Sequence, residues 1–225
     1  MPNPAAALPS PIEFFPALTA CAGVRHGFIT RIPGIDVVTD RAEALIRLDS
    51  AHHRARADLG LAEKVFLTAE QVHGNRVAVI AEAPINEQCF AGADGLITNR
   101  SEVSLGIYVA DCCAVFLIDP LRHCLGLVHS GRKGTELEIV PRAIEAMSER
   151  FGTNPRDLVI QLSPSIRPPH YEVDFTAEIV RQARAKEVRQ IHDHGACTAC
   201  DLRRYYSYRA EKGRTGRMLA LLALA

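Results

Sequence analysis

The 225-residue chain has no tryptophan and only three methionines, and aromatic residues make up 6% of it. A core without indoles must be filled with aliphatic side chains, which the 48% hydrophobic content supplies. Neither sign of charge is in excess, since 26 basic residues balance 26 acidic ones. That balance argues against a protein built mainly to hold nucleic acid or an anionic membrane. No apolar run approaches the roughly 20 residues of a membrane-spanning helix. The first residues, M-P-N-P-A-A-A-L-P-S-P, lack the basic and apolar regions of a signal peptide, so none is expected. Residues 1–10 read as a disordered Pro/Ala-rich segment. Seven cysteines, an odd and scattered set, do not form a disulfide framework and predict a reducing, cytoplasmic setting. Repeats and linkers are also missing, so residues 11–225 read as one domain of mixed α and β structure.

What is present centres on Leu105 to Gly134, L-G-I-Y-V-A-D-C-C-A-V-F-L-I-D-P-L-R-H-C-L-G-L-V-H-S-G-R-K-G. It reads as one strand over 105–118, interrupted by Asp111, Cys112 and Cys113, and a second over 124–128 ending at His129. Asp119-Pro120 between them is turn chemistry. A carboxylate beside a thiol inside an apolar strand is costly unless it is hydrogen-bonded or bound to something. The Gly-rich segment 130–134 follows, and a helix is expected over about 135–149.

Elsewhere, strands are expected at 24–30, 64–68, 76–80, 95–98 and 158–162, with a loop over 83–93. Asp40 predicts the N-cap of a helix over 41–59 that ends at Gly60. Asp174 predicts the cap of another over 175–186. The tail carries a polar insert at 192–201, a Tyr/Arg-rich stretch and an apolar end at 218–225.

Three residues stand at separate expected strand ends: His73 in Q-V-H-G, Cys112, and His129. Singly, each suits a satisfied histidine or a small buried thiol. Together they offer the three-ligand set of a catalytic zinc with an open fourth position. The tail offers a second candidate in His192, His194, Cys197 and Cys200, a C-x-x-C preceded by histidines that suits a structural zinc site or a redox pair. His170-Tyr171-Glu172 followed by that C-x-x-C is also similar to the zinc deaminase signature, without its proline. The spacing alone does not separate these readings from buried thiols under a loop. The segment 129–134, with its glycines and cations before a helix, also suits an anion or a solvated turn.

Several motifs taken in order carry a resemblance. V-R-H-G-F-I-T-R (24–31), Q-V-H-G (71–74), A-D-G-L-I-T (93–98), V-A-D-C (109–112), V-H-S-G-R-K-G (128–134) and the tail C-T-A-C-D with Y-Y-S-Y-R and G-R-T-G-R-M (197–218) resemble the peptidoglycan editing factor family. That family is also known as the laccase-domain or multicopper polyphenol oxidase family, and the likeness covers nearly the whole chain.

The resemblance implies an α+β single domain with α/β/β/α layers and mixed sheets. It implies a metal held by His73, Cys112 and His129, and activity on purine nucleosides, by adenosine phosphorolysis, deamination or both. Zinc fits the donor set, with copper as the alternative. Asp111 is the nearest carboxylate for proton transfer or ligand support, and Lys133 the candidate for phosphate. The chain departs from the family where Arg132 and Lys133 replace Trp and Arg of H-A-G-W-R-G. It departs again where Ser163 and Arg167 replace glycines of the G-P-x-I-G-P loop, and where His170 stands for Cys. Rival readings are a copper-dependent polyphenol oxidase, a metal-free Cys-His hydrolase with Cys112 as nucleophile, and a non-catalytic binding protein. The hydrolase reading draws on the likeness of the fold to the deamidating domain of cytotoxic necrotizing toxins. The expected partner is a small nucleoside, with phosphate as a further candidate; neither nucleic acid nor a membrane is expected.

Overall fold

The computed structural model describes residues 11–225, so the expectation of disorder over 1–10 lies outside the described residues. The chain opens with β1 (Ile12–Glu13), α1 (Pro16–Thr19), β2 (Val24–Ile29) and α2 (Arg41–Asp58). It continues through β3 (Val65–Ala69), β4 (Val77–Ile80), β5 (Gln88–Phe90) and β6 (Gly95–Thr98). The central stretch gives β7 (Val103–Val109), β8 (Cys113–Asp119), β9 (Cys124–Ser130), α3 (Arg132–Glu136) and α4 (Ile139–Phe151). β10 (Val159–Leu162), α5 (Phe175–Ala185), β11 (Gln190–Asp193) and β12 (Met218–Leu224) complete it.

Twelve strands make two mixed six-stranded sheets among the described residues, ordered β1-β2-β12-β7-β3-β5 and β11-β10-β8-β9-β6-β4. The long apolar runs are strands buried on both faces, as sheets covered by helices require. Along β8, Ala114, Phe116 and Ile118 join the core between the sheets, while Cys113, Val115 and Leu117 face the helical layer. β12 alternates likewise, with Met218, Ala220 and Leu222 inside and Leu219, Leu221 and Ala223 outside. α4 buries Ile139, Val140, Ala143, Ile144 and Met147 on one helical stripe against the second sheet. On the far side Ala55 of α2 packs with Ile29, Phe66 and Leu219. The layers are therefore α/β/β/α. No helix among the described residues is long and apolar enough to cross a membrane.

Several expectations are corrected. The stretch 105–118 is not one strand: β7 belongs to the first sheet and β8 to the second, and Ala110, Asp111 and Cys112 carry the chain between them. Asp111 makes the bend with φ +83, a left-handed conformation that short polar side chains tolerate. The helix expected over 135–149 is also two. Leu137 and Glu138, the latter at φ +59, separate α3 from α4. Pro141 explains the break, because a proline three residues into a helix cannot continue one begun earlier without losing a backbone bond. The loop expected at 83–93 contains the short edge strand β5, and the apolar tail 218–225 is the interior strand β12. The polar insert at 192–201 begins inside β11.

Candidate metal centre and cavity

Sheet register assembles the site. β8 and β9 pair so that Cys113 lies opposite Ser130, which leaves Cys112 beside Gly131. β6 and β9 pair Gly95 with Val128, so Asp94 comes level with His129, and the His129 N–H donates to the Asp94 carbonyl at 2.7 Å. His73 arrives on another crossing between the sheets, the 70–76 segment joining β3 to β4. Gln71 at φ +66 and His73 at φ +61 shape that segment. The Gln71 amide clips it to β7, donating to the Tyr108 carbonyl at 2.5 Å and accepting from the Tyr108 N–H at 3.1 Å.

The ligand atoms of His73, Cys112 and His129 all lie within 4.8 Å of one another. The Cys112 Sγ is 4.0 Å from His73 Nε2, and the two imidazole centroids are 4.9 Å apart. His129 is buried, Cys112 partly buried and His73 exposed. Gly131 permits the thiol's approach, since a Cβ there would stand 2.5 Å from Cys112 Sγ. Sequence reasoning predicted these three residues, and the fold brings them together.

Asp94 is the residue that sequence reasoning missed, although its motif was among those noted. Its buried carboxylate accepts from the Val72, His73 and Gly74 N–H groups at 3.2, 2.9 and 2.7 Å, and Oδ1 lies 2.9 Å from His129 Nδ1. One carboxylate therefore holds the loop of one ligand and the ring of another. A carboxylate only accepts, so Nδ1 holds its proton toward Asp94 and Nε2 is the nitrogen that ligates once an ion displaces its proton. Burial alone would raise the Asp94 carboxyl, but the His129 ring and the Gly74 and His73 N–H groups outweigh it and hold it below its ordinary value. The signal available in sequence was an acidic residue directly before the short strand G-L-I-T.

Burial likewise pushes the Cys112 thiol up, yet the adjoining His129 and His73 bring it down to about 6. His129 shows the converse: burial lowers it, while Cys112 and Asp94 raise it to about 9. Before any ion binds, these two groups make a thiolate–imidazolium pair. Cys113 is different, packed in the helical layer with its Sγ 3.7 Å from the Ser163 carbonyl and pushed by burial up to about 12.

The triad opens into a cavity of about 720 Å³. Tyr108, Ile166, Tyr171, Phe175 and Tyr208 give it apolar wall, and Arg41, Arg132, Arg209, Lys212 and Arg217 give it positive charge. Arg132 and Arg209 are paired with Glu172, at 3.4 and 2.6 Å. Asp111 lines the cavity too, but its oxygens are occupied: Thr198 Oγ1 donates to Oδ1 and the Arg209 N–H to Oδ2, each at 2.7 Å. It ties the crossing to the tail, and the place on a ligand imidazole belongs to Asp94. Lys133 sits exposed on α3 and is not among the cavity's lining residues, whereas its neighbour Arg132 is.

A family model described as multi-copper polyphenol oxidoreductase laccase matches residues 25–188 and 174–225. The chain belongs to this family. Among relatives, the purine nucleoside phosphorylase of Deinococcus radiodurans is 31% identical over 235 residues, covering 89% of each chain. That of Corynebacterium glutamicum is 29% identical over 238 residues, covering 89% of this chain and 94% of its own. In architecture the chain is similar to two solved structures. YlmD from Geobacillus stearothermophilus has a TM-score of 0.81 at 23% identity, over 93% of this chain and 94% of that one. The Bacillus licheniformis hypothetical protein YfiH has a TM-score of 0.78 at 21% identity, over 90% and 93%.

Proposed function

We propose that this chain is a zinc-dependent enzyme that cleaves purine nucleosides with phosphate. The observation carrying the proposal is the convergence of one thiol and two imidazoles on a cavity whose remaining walls are aromatic and cationic. The donor set fits zinc: a thiol brought down to about 6, an imidazole with Nδ1 already engaged, and a third ligand from an adjoining loop. Bound there, zinc would supply Lewis-acid stabilisation of negative charge developing on the substrate. The names of the relatives, purine nucleoside phosphorylases, agree with this chemistry.

In phosphorolysis a phosphate oxygen bonds to C1′ of the ribose as the bond to the purine nitrogen breaks. The electron pair leaves with the base, which takes up a proton. The ring of the base suits the Tyr171, Phe175 and Tyr208 wall. Arg41 and Lys212, whose side chains make no ion pair among the described residues, suit the phosphate better than the Glu172-paired Arg132 and Arg209. Lys133, one residue outside this wall, would act only on the approach of the anion. Deamination of adenosine would need a carboxylate free to move protons, and both Asp94 and Asp111 are fully engaged. A blue-copper site expects a weak axial partner such as a thioether or a Gln oxygen, and Met147 and Met218 are buried in the two cores while the Gln71 amide is held by Tyr108.

A second reading has its own support. Cys112, His129 and Asp94 stand in the order nucleophile, base and orienting carboxylate, with the thiol poised as thiolate. Metal analysis and base release at varied phosphate distinguish the two. The first reading expects zinc, phosphate-dependent release, and joint loss of both in His73→Ala, Cys112→Ala and His129→Ala. A folded Cys112→Ala chain with full metal content would overturn it. Activity that survives a chelator but not thiol alkylation would establish the second.

A further inference from the structure

A second cluster of soft donors lies outside the cavity. His170 Nδ1 is 3.7 Å from Cys197 Sγ and 3.5 Å from Cys200 Sγ, and the three ligand atoms fall within 4.8 Å of one another. They come from two loops that are already laced together. The Ser165 N–H donates to the Ala196 carbonyl at 3.2 Å and the Thr198 N–H to the Ser165 carbonyl at 3.1 Å. The Cys197–Cys200 turn is closed by the Cys200 N–H on the Cys197 carbonyl, at 3.1 Å. The backbone therefore presents both thiols on one side of a tight turn, facing a histidine from the neighbouring loop.

We infer that His170, Cys197 and Cys200 form a second metal site, taking a borderline-soft divalent cation of the zinc type. Two sulfurs and an imidazole nitrogen match that class and do not suit magnesium or calcium, which take oxygen ligands. His170 and Cys200 are exposed, so water has access to the fourth position.

The role is structural. Zinc deaminases place a proton-shuttling glutamate two residues after the ligand histidine, and Glu172 occupies that position in sequence. Its oxygens, however, are held by Arg209 at 2.6 Å and Arg132 at 3.4 Å, both on the cavity wall, and it is not part of the cluster. An ion here would clamp the tail onto the 163–171 loop. Thr198, between the two cysteines, donates to Asp111 at the crossing that presents Cys112. The clamp thus braces the first site from behind without sharing a ligand with it.

Zinc titration of the chelator-stripped, reduced full chain, with elemental analysis of the loaded protein, tests this independently of the proposed activity. Wild type should take two equivalents and Cys112→Ala one. Cys112→Ala/Cys197→Ser should take none, with circular dichroism confirming that each is folded. His170→Ala, an exposed position, should weaken the second equivalent at least tenfold and leave the first unchanged. Zinc should raise the melting temperature of Cys112→Ala and not that of Cys112→Ala/His170→Ala. With cobalt in place of zinc, Cys112→Ala should keep a thiolate-to-metal charge-transfer absorption. The inference is overturned if folded Cys112→Ala binds no zinc, or if Cys197→Ser, Cys200→Ser and His170→Ala all retain the wild-type stoichiometry. A Cys197–Cys200 disulfide persisting in the metal-titrated, reduced protein would overturn it as well.

Discussion

A carboxylate outside the cavity lining governs the site through the ring of one metal-ligand candidate and the loop of another. Replacing Asp94 by Asn keeps the shape but puts an amide N–H₂ where an acceptor stood. His129 Nδ1 would then have to accept, the proton would move to Nε2, and the lone pair that ligates would be lost. One of the three loop N–H groups would also lose its partner. Asp94→Asn is expected to weaken metal binding ten- to a hundredfold and to cost about 2 kcal/mol of stability. Competitive zinc titration and urea unfolding measure the two effects separately, and unchanged zinc affinity in a destabilised variant would reduce Asp94 to a loop anchor. Gly131→Ala acts by crowding. The added methyl would stand 2.5 Å from Cys112 Sγ while the backbone at φ −102 accepts alanine. Metal content should fall sharply in a chain that still folds, and a variant with full metal and turnover would mean that the thiol is not confined by that contact.

At the scale of elements, most pieces were legible because they announce their ends. Asp40 accepts from the Glu43 N–H at 3.1 Å and Asp174 from the Ala177 N–H at 3.0 Å, so both helices begin where their caps predicted. Asp174→Ala should cost about 1 kcal/mol by denaturant midpoint. Because α5 begins with Phe175 on the cavity wall, the same variant should raise KM more than it lowers kcat. A stability loss with both constants unchanged would detach the cap from the site. What was not legible depends on which sheet a strand joins. An apolar run reads the same whether it continues or crosses, and only pairing separates β7 from β8. β12 looked like an apolar end because nothing local tells a strand buried on both faces from any other apolar segment. The triad was legible through the family resemblance that its motifs carry, since their spacing alone does not separate ligands from buried thiols and histidines, whereas Asp94 acquires its role only from the register of β6 against β9.

The whole molecule carries a pH dependence that originates outside the triad. His26 sits against Phe14 and Phe15, with centroids at 5.7 and 5.9 Å, and its Nε2 accepts the Phe15 N–H at 2.8 Å. That bond requires a neutral ring. His52 is buried on α2 against Tyr108, 5.6 Å away. Burial lowers both histidines to about 4. Unfolded, each titrates near 6.5, so between these values the unfolded chain binds more protons and stability must rise with pH. Read downward, each neutral histidine contributes fully above about 6.5 and loses its contribution as pH falls toward 4. Acidifying from pH 7 to 4.5 should therefore cost about 2 kcal/mol per histidine. In the metal-free chain Cys112, brought down to about 6, and His129, raised to about 9, act with opposite signs at the neutral end of this window and partly offset each other. Urea midpoints across pH 4.5–7 should show a steep loss in the parent and a much flatter curve in His26→Gln/His52→Phe. Parallel curves would mean that both rings protonate freely in the fold, and the burial argument would fail.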